Sequence, residues 1–179
     1  MIQIYTTMAD SYSNSEPYYR IENIIYHPDF IKFMTSIYLK ESDICVVKVI
    51  ETMIFSSYLN KIDLPSTDIT EGSIGVITGW GTTKFSAEFY PEQLQTITMT
   101  VYDGWHCVFD SPLFLDYGQF CAVNQRGVGL CYGDSGNPFV YNNTLAGIAS
   151  LILPCATGEP DVFTRVYYHM DFIKEAMKT

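Results

Sequence analysis

Gly133-Asp134-Ser135-Gly136 is the stretch of this chain best suited to chemistry. A serine between glycines can ride on a tight loop with its hydroxyl presented, and small neighbours let a carbonyl group approach the backbone. A serine hydroxyl is a weak nucleophile at neutral pH and needs a base to take its proton. Imidazole is the usual base, and the chain has three histidines, His27, His106 and His169. The usual fate of a lone histidine is a surface or capping role. Five cysteines show no Cys-x-x-Cys metal spacing, and neither a metal nor a cofactor is expected. Asn142-Asn143-Thr144 is a candidate N-glycosylation acceptor on an expected turn.

The elements that must position these groups read as strands. Fourteen Tyr, eleven Phe and frequent Val, Ile and Thr favour sheet over helix. Strands are expected over 20–26, 43–50, 74–79, 94–101, 137–141, 144–151 and 161–166. Ile97, Met99 and Val101 alternate with threonines, the period of a half-buried strand. Glu71-Gly72 and Asn142-Asn143 read as turns, residues 1–18 as irregular or loosely stranded, and 29–40 as a loop. Val166, Met170, Ile173 and Met177 recur at helical spacing, so the tail predicts an amphipathic helix. Cys45, inside the 43–50 strand, is expected to be a small apolar core residue with an inert thiol.

With 179 residues, 47% of them hydrophobic, the chain can build a sizeable core. No apolar run approaches the ~20 residues of a membrane span. A formal net charge of −10, with ten basic residues scattered singly, makes no phosphate-binding stripe and speaks against nucleic acid as a partner. No membrane partner is expected, and the chain is expected to be a monomer.

Along nearly its whole length the sequence resembles the chymotrypsin/trypsin family (S1) of serine proteases. The residues that carry the resemblance run in order from Tyr19-Arg20-Ile21-Glu22-Asn23-Ile24-Ile25-Tyr26-His27-Pro28 and Ser42-Asp43-Ile44-Cys45-Val46-Val47-Lys48-Val49 to Thr78-Gly79-Trp80-Gly81. They continue through Leu94-Gln95 to Cys107, Phe120-Cys121-Ala122, and Cys131-Tyr132-Gly133-Asp134-Ser135-Gly136-Asn137-Pro138. Gly147-Ile148-Ala149-Ser150 and Pro160-Asp161-Val162-Phe163-Thr164-Arg165-Val166 complete the series. The resemblance implies an all-β fold: a double antiparallel β-barrel, its first barrel incomplete, plus a C-terminal α-helix. As one domain this divides into 1–65 (partial first barrel), 66–165 (second barrel) and 166–179 (helix).

It also implies roles. Ser135 would attack, the N–H groups of Gly133 and Ser135 would form the oxyanion hole, and Asp43 would orient a histidine, as in the family's catalytic triad. Asp134 would be buried and would pair with the ammonium of a new N-terminus freed by cleavage. Cys107 would bridge to Cys121 and Cys131 to Cys155, each worth about 3 kcal/mol, which points to an oxidising, extracellular setting. The pocket for the substrate side chain would have Gly129 at its base, Ser150 and Asp161 along its walls and Ile152 at its entrance. Such a pocket would take a basic or a small to medium apolar group. Leu151 replaces a family tryptophan. Asn137 departs from the family's Gly-Gly-Pro, a place where asparagine's tolerance of left-handed backbone would preserve the turn.

The family histidine stands in an Ala-Ala-His-Cys-like context that none of the three histidines shares. The chain also shows no basic start followed by an apolar run, as a signal peptide would. It is therefore expected to be an N-terminally truncated member that is inactive alone. Asp134, without its partner, would leave 128–134 disordered, and open sheet edges would favour aggregation of the isolated chain. The whole protein is expected to be a serine endopeptidase working through an acyl-enzyme, with peptides, proteins and protease inhibitors as partners. The alternative is a non-catalytic protease homologue that binds proteins or inhibitors.

Overall fold

The computed structural model describes residues 3–5, 18–33, 42–57, 59–83, 90–102, 107, 117–152 and 155–179. Three strands form one antiparallel sheet in the order β1 (Gln3–Tyr5), β2 (Tyr18–Tyr26) and β3 (Cys45–Val49). Six more close into an antiparallel barrel: β4 (Ile74–Gly79), β5 (Gln95–Tyr102), β6 (Gln119–Val123), β7 (Pro138–Tyr141), β8 (Thr144–Leu151) and β9 (Asp161–Arg165). The barrel order is β4-β5-β6-β9-β8-β7, closed by pairing of β7 with β4. This is the chymotrypsin-type fold with an incomplete first barrel. The helices with both ends among the described residues are α1 (Pro28–Phe33) and α2 (Met170–Ala176). Neither is long and apolar enough to cross a membrane.

Alternation sets the barrel interior. In β5, Met99 and Val101 are buried and Ile97 packs against the core, while Thr96, Thr98 and Thr100 face out. Phe120, Phe139 and Phe163 meet at the centre with ring centroids 5.1–5.3 Å apart, contacts that add to the burial of three large side chains. The β7–β8 hairpin turns on Asn142 and Asn143, at φ 47° and 58°. A two-residue turn with both φ positive suits the strand twist, and asparagine reaches that region at low cost.

β6 was not anticipated as a strand. Residues 119–122 are all buried, so the segment has no alternation to read. Residues 29–33, expected as part of a 29–40 loop, belong to α1. Pro28 opens it, where a missing N–H costs nothing, and His27 Nδ1 accepts the Asp29 N–H at 3.2 Å as a cap. Cys45 is exposed rather than in the core, because among the described strands β3 pairs only with β2 and none of its residues is fully buried. In the tail, Ile173 is buried as expected, but Met177 caps the helix and is 67% exposed, and Ala176 takes the inward place.

Two features join the sheet to the barrel. Ile44, Val166 and Ile173 form a buried cluster, with Val46, Leu64, Leu145, Ile148, Met170 and Phe172 packed around it. Along the connecting segment, Leu145 N–H donates to Asp63 O at 2.9 Å, and the Arg165 guanidinium donates to Asp68 Oδ1 and Ile69 O.

Candidate active site

The Ser135 loop is held to β8 from both directions. Gly136 N–H donates to Ala149 O at 2.7 Å, and Ala149 N–H donates to Asn137 O at 2.9 Å. Within the loop, Asp134 N–H donates to Cys131 O, and Asn137 N–H donates to Asp134 O. These tight turns put Gly133 at φ 93° and Gly136 at φ 87°, where a side chain would be strained. Ser135 between them is exposed. The flanking glycines are thus used for the reason their types suggest.

The next residue of β8 reaches the carboxylate. Ser150 Oγ donates to Asp43 Oδ2 at 2.7 Å, and Thr164 Oγ1 donates to Asp43 O at 2.9 Å. Ile44 N–H donates to Ser42 O at 2.7 Å, a γ-turn centred on Asp43 just before β3. Ala149 and Ser150, neighbours on one strand, therefore hold the Ser135 loop and Asp43. Sequence reasoning had assigned Ser150 to the substrate pocket and missed this link, since the two residues lie 107 positions apart.

Asp134 is buried at 9% exposure. Its Oδ1 accepts Gly81 N–H at 2.9 Å and the Asn137 amide Nδ2–H at 2.8 Å, and its Oδ2 accepts Cys131 N–H at 3.0 Å. The buried carboxylate therefore does not lack partners: three donors offset the cost of taking it out of water. Asn137 is also not in the left-handed region, so its role is not the conformational one expected of it. A cavity of about 180 Å³ lies beside the carboxylate, lined by Gly79, Gly81, Ile97, Gly129 and Leu130 among others.

Gly129 and Asp161 come together across this region. Asp161 is 3% exposed, and its Oδ2 accepts Leu130 N–H at 3.2 Å. A Cβ at Gly129 would stand 3.1 Å from Ala156 Cα, so only glycine leaves that space free. Ile152 packs against the barrel core, and Leu151 packs against the Cys107, Cys121 and Val162 cluster. Cys107 is bonded to Cys121 and Cys131 to Cys155, the second bridge tying the Ser135 loop to the segment after β8. Asn142 is exposed at the hairpin tip.

The two described histidines lie elsewhere. His27 caps α1, with its ring 5.1 Å from that of His169 and 4.7 Å from that of Phe172. Burial pushes the His27 pKa down, and Asp29 pulls it partly back. His169 is 2% exposed, at the start of α2. His106 lies outside the described residues. Among the described residues no group of three or more His, Cys, Asp or Glu is placed to hold a metal ion.

Known proteins resemble this chain in sequence and fold. The profile of the family described as Trypsin matches residues 2–173. Chymotrypsin-2 of Vespa crabro is 36% identical over 135 residues, which cover 75% of this chain and 61% of that protein. Trypsin I-P1 of Gallus gallus is 34% identical over 140 residues, covering 77% of this chain and 56% of that protein. The chain thus spans roughly three fifths of the length of these curated relatives. Among solved structures, mouse neuropsin, a serine protease expressed in the limbic system of mouse brain, superposes with a TM-score of 0.84 at 26% identity, over 90% of this chain and 73% of that one.

Proposed function

The chain belongs to the trypsin family of serine proteases, and on that premise we propose that it carries the nucleophile side of a serine endopeptidase site. Ser135 Oγ attacks a peptide carbonyl and loses its proton to an imidazole. The tetrahedral oxyanion is held by the N–H groups of Gly133 and Ser135. Collapse of that intermediate breaks the C–N bond, the imidazolium gives its proton to the leaving amine, and water then hydrolyses the acyl-enzyme. Asp43 orients the imidazole and stabilises its cation. The observation that carries this reading is the pair of bonds from β8: Ala149 to the Ser135 loop and Ser150 to Asp43.

His27 caps α1 through Nδ1, His169 is buried at the start of α2, and none of the three histidines stands in the family histidine's Ala-Ala-His-Cys-like context, so none of them is taken as the base. The 179 residues alone are accordingly inactive in this reading, and the base belongs to the whole protein. Gly129, Ser150, Ile152 and Asp161 set a side-chain pocket for a basic or small to medium apolar group. Asp161 contributes through its bond to Leu130 N–H as well as through its charge. Peptides, proteins and protease inhibitors are the partners. The two disulfides favour a secreted, oxidising setting.

A second reading, a non-catalytic homologue that binds proteins or inhibitors, is favoured by Asn137, Leu151 and Ile152, each a departure from the family's residue. The test is a biotinylated fluorophosphonate applied to the full protein made from the native transcript. Covalent label at Ser135, abolished by Ser135→Ala, supports the endopeptidase. A folded, full-length product that takes no label but is retained on an immobilised protease inhibitor supports the binding module. Label on the 179-residue chain alone would overturn the assignment of the base.

A further inference from the structure

Asn137 makes a bond to which neither the motif nor the proposed chemistry gives a purpose. Its side-chain N–H donates to the same Asp134 oxygen that accepts the Gly81 N–H. We propose that Asn137 is a positioning residue: its carboxamide pins the buried Asp134 carboxylate against the Gly79–Gly81 segment and so sets, from within the loop, the orientation of the Gly133 and Ser135 peptides. The inference rests on the reading of those two N–H groups as oxyanion donors.

Three observations converge on it. First, the Asn137 backbone does not use the left-handed region, so the side chain and not the turn is what asparagine supplies. Second, Asn137 is fixed at both backbone atoms. Its N–H donates to Asp134 O at 3.1 Å and its carbonyl accepts Ala149 N–H at 2.9 Å, so the amide is a strut between β8 and the carboxylate. Third, the space is closed. A Cβ built on Gly79 would run into Asn137 Nδ2, and one built on Gly81 would run into the Asp134 carboxylate. The amide and carboxylate therefore fill the space beside Gly79 and Gly81, and the carboxylate has little room to rotate.

The consequence reaches the neighbours of Asp134 directly. Gly133 and Ser135 flank it in sequence, and Gly133 stands at φ 93°, a conformation glycine leaves easily. A carboxylate free to swing would let both peptides turn. One bonded at Gly81, Cys131 and Asn137 does not. The Asn137 donor comes from three residues along the same loop, and it shares its oxygen with the Gly81 N–H brought in from 53 positions away.

Residue-resolved amide hydrogen exchange on the disulfide-intact chain tests this without reference to activity. The variants are Asn137→Asp, which keeps shape but loses the donor, and Asn137→Ala. A hydrogen bond to a charged group is worth enough that protection of the Gly81 and Cys131 amides should fall about 10- to 100-fold in both variants. The Ile77 and Val162 amides in the barrel should be unchanged. Wild-type protection at Gly81 and Cys131 in Asn137→Asp would overturn the proposal, since the side chain would then only fill space. An equal fall at every amide in both variants would also overturn it, the effect then being global. If Asn137→Asp does not fold, Asn137→Ala decides by the same comparison. A protein that never labels at Ser135 but shows the local loss refutes the endopeptidase reading and leaves Asn137 as the clamp of Asp134. A protein that labels but shows no local loss does the reverse.

Discussion

The bond from Ser150 to Asp43 links the two sides of the site, and its removal has a calculable cost. Ser150→Ala takes away a donor 2.7 Å from a carboxylate oxygen, a short distance of the charge-assisted kind. A hydrogen bond to a charged group contributes about 1.5–3 kcal/mol. Asp43 is only half-buried, so water replaces part of the loss, and the expected cost is about 1–2 kcal/mol. Thr164 still donates to the Asp43 carbonyl in this variant, so the backbone stays in place and the side-chain bond is isolated. For a chain of this length the cost corresponds to a fall in Tm of about 2–8 °C. The assay is urea unfolding of the oxidised protein for wild type, Ser150→Ala, Asp43→Ala and the double variant, with the slope m held constant as the sign of an unchanged unfolded state. The double variant should be less destabilised than the sum of the single ones by about 1–2 kcal/mol. Additivity to within about 0.5 kcal/mol would refute the link, because independent sites add to that precision.

Three further outcomes follow from the same geometry. Burial holds the His27 pKa below its ordinary 6.5 against the pull of Asp29, so the unfolded chain takes that proton first as the pH falls. This part of the stability is whole above pH 6.5 and is lost below it, and the urea midpoint of His27→Asn should fall less than that of wild type between about pH 7.5 and pH 5; parallel curves would count against it. At Cys45, partial withdrawal of the sulfur from water, then the Asp43 carboxylate, raises the thiol above 9.0. Iodoacetamide at neutral pH should therefore alkylate this exposed residue more slowly than free cysteine, Asp43→Asn should speed the reaction, and an unchanged rate would remove Asp43 from the explanation. Replacing the Cys131–Cys155 pair, 24 residues apart, should cost about 3.5 kcal/mol by the loop-entropy relation, and a measured cost below about 1 kcal/mol would show that the unfolded chain is already constrained there.

Local order was open to reading from residue types alone. The alternation of Ile97, Met99 and Val101 with threonine specified β5, because a strand exposes successive side chains to opposite faces whatever lies beyond it. The Asn142-Asn143 turn and the glycines around Asp134-Ser135 were equally local, each a matter of which φ a residue tolerates. The roles proposed for Ser135 and Asp43 came with the family resemblance, which spans most of the chain. Two helical signals were partly legible: Ile173 turned inward as its spacing required, whereas Met177 did not, because α2 ends one residue before it.

What depended on the folded chain was partnership across distance. Gly81 reaches Asp134 over 53 positions and Ser150 reaches Asp43 over 107, separations that no periodicity encodes. β6 escaped detection because burial on both faces erases alternation, and Cys45 lies exposed because β3 has a strand on one side only. Asn137 shows the division most plainly. Its type suggested a turn residue, but barrel closure set the end of β4 and Gly81 against the Ser135 loop and turned its amide into a hydrogen-bond donor for a buried carboxylate. A residue's type lists the bonds it can make; only the packing of distant segments selects which of them it makes.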